Sequence, residues 1–315
     1  MALSELVPTG GLPNLGAGPI ATSYATLIPP GARVAAYVRS GGYQELDPFR
    51  ADDLVTTLAA ALPRVRSGYG DVIIVLPGHV ESVVDATMLD NLRAGTTILG
   101  IGRGSMQPTF NFTATASQWT LDQSDVLVQG LRLNVDGANG VVNAIDVTAA
   151  DCVLRGCAVR LASGAALKAT VGVSLSAARA WVDGCYFEGT ATHFVARAIL
   201  IDTAVDGIKV TNTRIIASAT AANGLIGVTA AATNLLFQDL LLYNTHTSST
   251  ATIALSDVAC DGFAIRVKSG TKNNGGAKTT QGITWGASAL VQAHDCTCSD
   301  VRADSGVTSP AAAAA

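Results

Sequence analysis

The stretch DVLVQGLRLN, at residues 125–134, recurs in altered form four more times along the chain. The later copies are DCVLRGCAVRL, RAWVDGCYFEG, DGIKVTNTRII and TNLLFQDLLLY. When all five are aligned, one large apolar position is occupied in turn by Val128, Leu154, Val182, Val210 and Phe237. The spacing between these residues is 26, 28, 28 and 27. A period of this length indicates a repeat architecture in which each unit lies on the next.

A second apolar phrase runs in step with the first. Its copies are AIDVTA, VGVSLSA, AILIDT, GLIGVTA and TIALSD, which are aligned on Val147, Leu175, Ile201, Val228 and Leu255. Each repeat thus holds at least two short runs rich in Val, Ile, Leu and Thr, which are typical of strands. Two or three strands cannot bury an apolar face alone, so we expect a coil of parallel strands with equivalent positions about 4.8 Å apart.

In every copy of the first phrase, the second residue after the aligned apolar residue is one that tolerates a left-handed backbone. That position holds Gly130, Gly156, Gly184, Asn212 and Asp239. A sharp corner between two strands needs such a conformation. Each phrase is therefore interpreted as strand, corner, strand, once per turn of the coil.

Composition and length favour one elongated domain. Of the 315 residues, 49% are hydrophobic but only 5% are aromatic, and 32 are glycine, which suits the narrow interior of a solenoid. We expect an irregular N-terminal arm at 1–50, a capping helix with the first strands at 51–95, the parallel coil at 96–300 and a flexible tail at 301–315.

A helix is expected to cover the open end of the coil. In DDLVTTLAAALPRV, the residues Leu54, Leu58, Leu62 and Val65 fall on one helical face, with Asp52 or Asp53 as the N-cap. Solenoids need such caps because their terminal turns otherwise expose the core and the unpaired strand edge.

The charge pattern argues against several classes of partner. The formal net charge is −4, from 20 basic and 24 acidic residues, and no basic run is present. Nucleic-acid binding is therefore not expected. No apolar stretch has the length of a membrane span, and MALSELVPTGG does not resemble a signal peptide. We expect a protein that is made and kept soluble in a cytosol, with no membrane partner.

The six cysteines are interpreted as structural. Cys157 and Cys185 occupy the same place in consecutive phrases, so they should stack inside the coil as small apolar fillers. Cys296 and Cys298 form C-x-C and not the C-x-x-C pair of a zinc ribbon. The sequence therefore predicts no metal and no cofactor.

The carboxylates that could serve catalysis are scattered along the repeats. Asp146, Asp202 and Asp257 lie near the ends of second phrases at different offsets. A second set comprises Asp183, Glu188 and Asp239. A sugar-cleaving site of this type would need such groups on one outward face. We expect solvated strand faces and turn formers, and no catalytic residue.

The histidines and the glycine-rich loop give no clear site either. His79 stands near Glu81 and Ser82, but adjacent strand residues point to opposite faces, so a turn or capping role is expected. His193, His246 and His294 are isolated in sequence. GIGRGS, at 100–105, is followed by the strand-like PTFNF, so it lacks the helix that a phosphate loop needs.

The three tryptophans lie inside apolar phrases. For Trp119, Trp181 and Trp285 we expect core packing or a contact between subunits.

Two segments carry a resemblance to a known group of proteins. GDVIIVLPGH (70–79) and TTILGIGRGSMQPTFNF (96–112), followed by the stacked phrases, resemble the right-handed parallel β-helix proteins of tailed bacteriophages. The likeness extends over residues 50 to 300. It implies an all-β fold, a right-handed single-stranded parallel β-helix of about 27 residues per turn related to the pectate-lyase type.

The same resemblance implies a role in the virion. It favours a non-enzymatic capsid decoration, or cement, protein that forms a homotrimer and binds the major capsid protein of the phage head through its arm. The alternative is a tailspike or tail fibre protein that binds or depolymerises host surface polysaccharide, with Asp183, Glu188 or Asp239 in an exposed groove.

Overall fold

The computed structural model describes residues 31–41, 51–135, 140–162, 169–189, 194–219, 224–246, 251–255, 259–271, 283–284 and 289–299. In these ranges the chain forms three long parallel sheets, and successive strands pass from one sheet to the next. The coil has about seven turns of roughly 27 residues and very little helix. The predicted parallel β-helix is confirmed.

Sheet A begins at the N-terminal end of the described coil. Its strands are β1 (Val34–Val38), β2 (Leu54–Val55), β3 (Val72–Val75), β5 (Thr97–Gly100), β8 (Leu127–Gln129), β11 (Val153–Arg155), β14 (Trp181–Asp183), β18 (Lys209–Thr211), β21 (Leu235–Gln238), β24 (Asp261–Ile265) and β27 (Leu290–His294).

Sheet B follows sheet A across a sharp corner in each turn. Its strands are β4 (Val80–Val83), β6 (Thr109–Phe112), β9 (Arg132–Asn134), β12 (Ala158–Ala162), β15 (Tyr186–Gly189), β16 (Phe194–Val195), β19 (Arg214–Ala219), β22 (Leu241–Asn244), β25 (Lys268–Thr271) and β28 (Thr297–Ser299).

Sheet C completes the turn. Its strands are β7 (Trp119–Leu121), β10 (Val141–Val147), β13 (Ala169–Leu175), β17 (Arg197–Ile201), β20 (Ile226–Val228), β23 (Ile253–Leu255) and β26 (Ile283–Thr284). The described helices are short: α1 (Leu58–Ala61) and 3-10 turns at Ala51–Asp53, Leu62–Arg64, Thr87–Leu89 and Gly104–Met106.

The register of the strands follows the sequence period. Leu154 pairs with Val128 on one side and with Val182 on the other, and the row continues through Val210 to Phe237. All five side chains are buried. Because strand residues alternate between faces, the rows on either side of this one point outward. The predicted stacking of the repeated phrase is confirmed.

The predicted corner residues adopt the left-handed backbone. The φ angles are +73° at Gly130, +58° at Gly156, +60° at Gly184, +50° at Asn212 and +53° at Asp239. Two later turns repeat the corner at Arg266 and Asp295, and the arginine side chain is less suited to it than glycine, asparagine or aspartate. The conformation is therefore imposed by the coil and is only made easier by glycine.

A second left-handed corner precedes sheet A and was not predicted. It is occupied by Asp125, Asp151, Arg179, Gly207 and Asn234, with φ between +52° and +74°. Arg179 donates two hydrogen bonds to Asp151, at 2.7 and 2.6 Å. This corner is closed in part by side-chain contacts between turns, so a glycine is not required at every copy.

The capping helix is shorter than expected and begins later. Leu54 belongs to strand β2, where it pairs with Tyr37, and the helix has the single turn Leu58–Ala61. The N-cap is Thr57, whose hydroxyl accepts a hydrogen bond from the Ala60 amide, so the predicted Asp52 or Asp53 cap is wrong. Pro63 cannot donate to the preceding turn, which ends the helix. The buried residues of this segment still pack into the core.

The expectation of an irregular arm through residue 50 is wrong for Val34–Val38. These residues form β1, which pairs with β2 and β3. Tyr37 of this strand packs into a second apolar cluster, which lies on the outer face of sheet A. The cluster comprises Tyr37, Val72, Ile74, Leu76 and Leu99, all at most 6% exposed.

Cysteine positions match the structural interpretation where the side chains are described. Cys152, Cys157, Cys185 and Cys260 are buried free thiols, and Cys296 is partly buried. Cys157 and Cys185 lie in consecutive turns of the core, next to the paired residues Ala158 and Tyr186.

Two glycine corners provide a matched test of the coil. A Cβ at Gly130 would lie 2.6 Å from the Gly100 carbonyl oxygen, whereas a Cβ at Gly156 would meet nothing within 4 Å. Both substitutions place a side chain at positive φ, which costs about 1–2 kcal/mol. We expect Gly156→Ala to lose that amount and Gly130→Ala to lose clearly more, measured by urea unfolding. Equal losses of unfolding free energy in the two variants would contradict a clash between the new Cβ at position 130 and the Gly100 backbone.

Candidate functional site

The outer face of sheet A carries a polar and aromatic cluster around Trp181. The Trp181 indole N–H donates to the Thr211 hydroxyl at 2.7 Å, and that hydroxyl donates to Asp183 at 2.8 Å. The Arg155 guanidinium lies 4.9 Å from the centre of the Trp181 ring, and Lys209 lies 5.8 Å from it. The ring is half-buried between two cations on adjacent turns, which fixes its orientation.

Asp183 is the acceptor at the centre of this cluster. It accepts hydrogen bonds from Arg155 at 3.0 Å and from Asn212 at 2.9 Å, in addition to Thr211. Burial alone would raise the pKa of Asp183, but these hydrogen bonds and the charge of Arg155 outweigh it, so its pKa is lowered. A carboxylate held ionised in this way is a poor proton donor or base near neutral pH.

Sheet C brings two carboxylates into one hydrogen-bond chain. Asp146 accepts from Gln118 at 3.2 Å and stands in register with Ser174. The Ser174 and Ser176 hydroxyl oxygens are 3.1 Å apart, and Ser176 donates to Asp202 at 3.1 Å. This series of hydrogen bonds extends over three consecutive turns of the coil.

Asp146 and Asp202, at the two ends of this series of hydrogen bonds, differ in their electrostatic surroundings. Burial, followed by the nearby charge of Asp202, raises the pKa of half-buried Asp146, although hydrogen bonds from Ser174 and Gln118 oppose the rise. Asp202 is exposed. A half-buried carboxyl with a raised pKa, linked by hydrogen bonds to a solvated one, resembles the arrangement of an acid and base pair. The sequence did not favour these residues as a site because they occupy different offsets in the second phrases, and it did not reveal that Ser174 and Ser176 link them.

His79 and Glu81 form a buried pair at the capped end. Nε2 of His79 lies 3.0 Å from the Glu81 carboxylate, and the same carboxylate oxygen accepts from the Leu58 amide at 2.9 Å. Glu81 thus caps the start of α1 and ties it to strand β4. Ser82 is exposed on the opposite face. The pair joins the cap to the coil, in agreement with the expected capping role.

The other sequence candidates are separated by the fold. Asp183 lies on sheet A and Glu188 on sheet B, beyond the corner at Gly184, so they do not share a face. Asp239 is at a corner and pairs with Arg266 at 2.6 Å. The three carboxylates therefore do not share one face, whereas Asp183 is linked to the Trp181 indole through Thr211, and the tailspike alternative stays a prediction. His193, Asp257 and Trp285 lie outside the described residues.

Two further expectations concern isolated residues and metals. Trp119 is fully buried in the core, as expected, and GIGRGS runs from the end of strand β5 into the 3-10 turn Gly104–Met106, after which strand β6 begins. In the described ranges, no group of three or more His, Cys, Asp and Glu residues could hold a metal ion. Within the same ranges, no helix has the length and apolar character needed to cross a bilayer.

Comparison with known proteins gives a likeness of fold. No family model matches the chain, and no curated protein matches it. Among solved structures, the chain is similar to an alginate lyase from Paenibacillus sp., with 12% identity and a TM-score of 0.29. The match covers 76% of this chain and 97% of the lyase chain.

This match corrects one prediction. The expectation that the chain is not an enzyme is contradicted, because the solved protein that it resembles is a polysaccharide lyase. No activity is inferred for this protein from the match, since the identity and the TM-score are low. It gives no support to a phage origin, so the head partner, the trimer and the virion location stay predictions.

The raised pKa of Asp146 can be measured by carboxyl NMR titration. We expect its midpoint to lie above 3.8, and Asp202→Asn to lower it, because a neighbouring charge is removed. The folded state holds the Asp146 proton more tightly than the unfolded chain does. The protonated Asp146 carboxyl therefore makes its full contribution to folding stability at low pH. That contribution is lost as the pH rises from 3.8 through the folded pKa.

The matched control is Asp90→Asn, which removes an exposed carboxylate from a turn that is not part of the hydrogen-bonded series from Asp146 to Asp202. It should leave the Asp146 midpoint unchanged. An Asp146 midpoint at or below 3.8, or one that Asp202→Asn does not move, would contradict the described coupling.

Proposed function

We propose that the chain is a capsid decoration protein of a tailed phage, which assembles as a homotrimer through the outer face of sheet A and binds the major capsid protein. The observation that carries the proposal is a row of apolar side chains along that face. The resemblance of 70–79 and 96–112 to phage coil proteins supplies the biological setting.

The apolar row follows the register of the strands. Its members, one per turn, are Leu127, Val153, Trp181, Lys209, Leu236 and Phe263. Five of the six are apolar or aromatic, although outward positions of a solvated sheet are normally polar. Towards the N-terminus the row continues through Thr97 to Val72, which belongs to the second apolar cluster described above.

The row becomes more exposed towards its C-terminal end. Phe263 is 46% exposed, and Leu290 on the neighbouring strand is 72% exposed. Single exposed apolar residues are common, but a row that is apolar at five of six turns is typical of an interaction surface. Large aromatic residues such as Phe263 and Trp181 are enriched at the centres of protein interfaces.

A threefold assembly suits a straight rigid row. Around a threefold axis parallel to the coil, equivalent residues of three copies meet at the same height, so one apolar row is covered along its length. The other two sheets then remain available for other contacts. The N-terminal segment before β1 is proposed to bind the head.

The assembly contact can be tested by charge insertion. We expect Phe263→Asp combined with Leu290→Asp to dissociate the trimer to a species of the chain mass, 32.0 kDa, in light scattering. Loss of anchor residues at an interface costs about 2 kcal/mol or more each, so association should weaken at least tenfold. Val84→Asp combined with Val142→Asp, at equally exposed apolar sites off this face, should leave the trimer intact. A monomeric wild-type protein would refute the contact.

The head contact can be tested by truncation. A deletion that stops at residue 30 leaves β1 in place, whereas a longer one through 45 would remove a strand of sheet A. We expect the protein that lacks residues 1–30 to keep its β-sheet circular dichroism and to lose binding to purified heads. Unchanged binding would contradict the role of the N-terminal segment, and loss of the β signal would require a shorter deletion.

A further inference from the structure

Charged residues follow the two edges of the coil that border sheet A. The A–B edge runs from the last outward residue of each sheet A strand through the sheet B strand that follows it. The C–A edge runs from the end of each sheet C strand to the corner that precedes sheet A. Successive turns of the described coil carry both edges, and they are numbered here from turn 1, which contains the corner at Asp125, to turn 6, which contains strand β24.

The A–B edge changes the sign of its charge along the coil. It is positive in turns 1, 2, 4 and 6 and negative in turns 3 and 5. In turn order, its charged residues are Arg132, then Arg155 with Arg160, then Asp183 with Glu188, then Arg214, then Asp239, and finally Arg266 with Lys268. All of these residues are exposed or half-buried.

The C–A edge has the opposite pattern. Among its described residues it is negative in turns 1, 2, 4 and 6, positive in turn 3 and uncharged in turn 5. In turn order, its charged residues are Asp122 with Asp125, then Asp151, then Arg179, then Asp202 with Asp206, and in turn 6 Asp261. The two edges of one chain therefore have opposite signs in turns 1, 2, 3, 4 and 6.

Ion pairs within each edge account for only part of this pattern. Arg155 pairs with Asp183 at 3.0 Å, and Arg179 pairs with Asp151 at 2.6 Å. Each pair links neighbouring turns of one edge and does not cross sheet A. In the part of the chain that the structure describes, no ion pair joins Arg132, Arg214 or Lys268 to a carboxylate, so these cations can meet a partner.

Turn 3 is the most informative turn, because both edges reverse their sign there. Glu188 is exposed on the A–B edge between the turns of Arg160 and Arg214, and Arg179 is exposed on the C–A edge between the turns of Asp151 and Asp206. Neutralisation within an edge does not require the two reversals to fall in the same turn. Contact between the two edges at equal height does require it.

The proposed threefold assembly brings the two edges together. When sheet A faces an axis parallel to the coil, rotation about that axis moves no residue along it. Each turn of one copy therefore lies at the height of the same turn in the next copy, with the A–B edge of one beside the C–A edge of the other. Lys209 lies in the apolar row between the edges and belongs to neither.

We propose that the A–B edge of one copy binds the C–A edge of a second copy of this chain, and that the sign pattern fixes the relative height of the copies. This inference rests on the proposed homotrimer and identifies the surfaces that flank its apolar row. Complementary charges across an interface contribute specificity and register more than affinity. In this assembly the apolar row supplies most of the affinity.

The pattern disfavours copies that are displaced along the coil. If the A–B edge of one copy met the C–A edge one turn further on, like charges would face each other at turns 2, 3 and 5 of the A–B edge. A displacement in the other direction would place like charges opposite turns 3, 4 and 5. Repulsion between like charges excludes wrong pairings, so the edges select a closed ring and not an open helical array.

The test reverses the charges of turn 3 singly and together. Glu188→Lys and Arg179→Glu each place like charges between copies, so each should weaken trimer association about tenfold or more in sedimentation equilibrium. The double variant restores opposite charges, so its association constant should return to within about threefold of the wild-type value. At an ionic strength of about 1 M, where the Debye length is about 3 Å, the single variants should approach the wild type.

The matched control is Asp52→Lys, which changes the charge as Glu188→Lys does, at an exposed position in the 3-10 turn before β2. It should leave association unchanged. An equal loss in this control would overturn the proposal in favour of a net-charge effect. A double variant whose loss is the sum of the two single losses would also overturn it, because neutralisation within each edge predicts that result.

A reversal that removes the β-sheet circular dichroism is replaced by the neutral variants Glu188→Gln and Arg179→Gln. Each should weaken association about twofold, as for an exposed ion pair, and the double variant should lose no more than either one. Additive losses would overturn the proposal.

The apolar row and the charged edges fail in different ways. If Phe263→Asp with Leu290→Asp dissociates the trimer but the turn 3 reversals leave it intact, the assembly through sheet A stands and the contact between edges is overturned. A wild-type protein that is monomeric overturns both.

Discussion

Stacking of equivalent residues in register is the constraint on which the rest of the structure depends. A parallel ladder satisfies its backbone groups only if each turn matches the path of the one before it. Each turn must therefore change direction at the same place, which explains why the corner at Gly130 recurs with the same left-handed backbone as far as Asp295. Where glycine is absent, the ladder on either side still imposes the angle.

The same register organises the outside of the coil. A position that faces outward in one turn faces outward in the next, so side chains form rows and each sheet acquires its own character. Sheet A combines an apolar row with the Trp181 cluster, sheet B collects cations, and sheet C carries the hydrogen bonds that link Asp146 with Asp202 through Ser174 and Ser176. The proposed contacts are surfaces of this kind and do not rest on a single pocket.

The fold could be predicted from the sequence because the period, the apolar row and the corner all repeat. The row from Val128 to Phe237 and the left-handed corners between sheets A and B followed directly from the alignment of the phrases, whereas the corners before sheet A did not. The cap could not be predicted as well, since Leu54 and Leu58 fit both a helical face and a strand followed by a helix. Pairing of Leu54 with Tyr37 decides between them, and it is a tertiary contact.

Candidate sites were harder to predict, for a related reason. The contact between Arg155 and Asp183 joins residues 28 apart, yet both occupy the same column of the aligned phrases. A comparison of equivalent positions in successive phrases, rather than of local motifs, could have found this contact and also the cations of sheet B. The bridge from Asp146 to Asp202 through two serines could not be found in this way, because it crosses columns and depends on side-chain directions.

We propose that the coil is a repeated component of a virus head, which can be tested by the number of copies in purified particles of the encoding phage. Quantitative mass spectrometry would compare this protein with the major capsid protein. A decoration protein should have a copy number comparable with that of the major capsid protein, in a ratio set by the symmetry of the shell. A few copies per particle would place the chain at the tail, and its absence from the particle would contradict the virion role altogether.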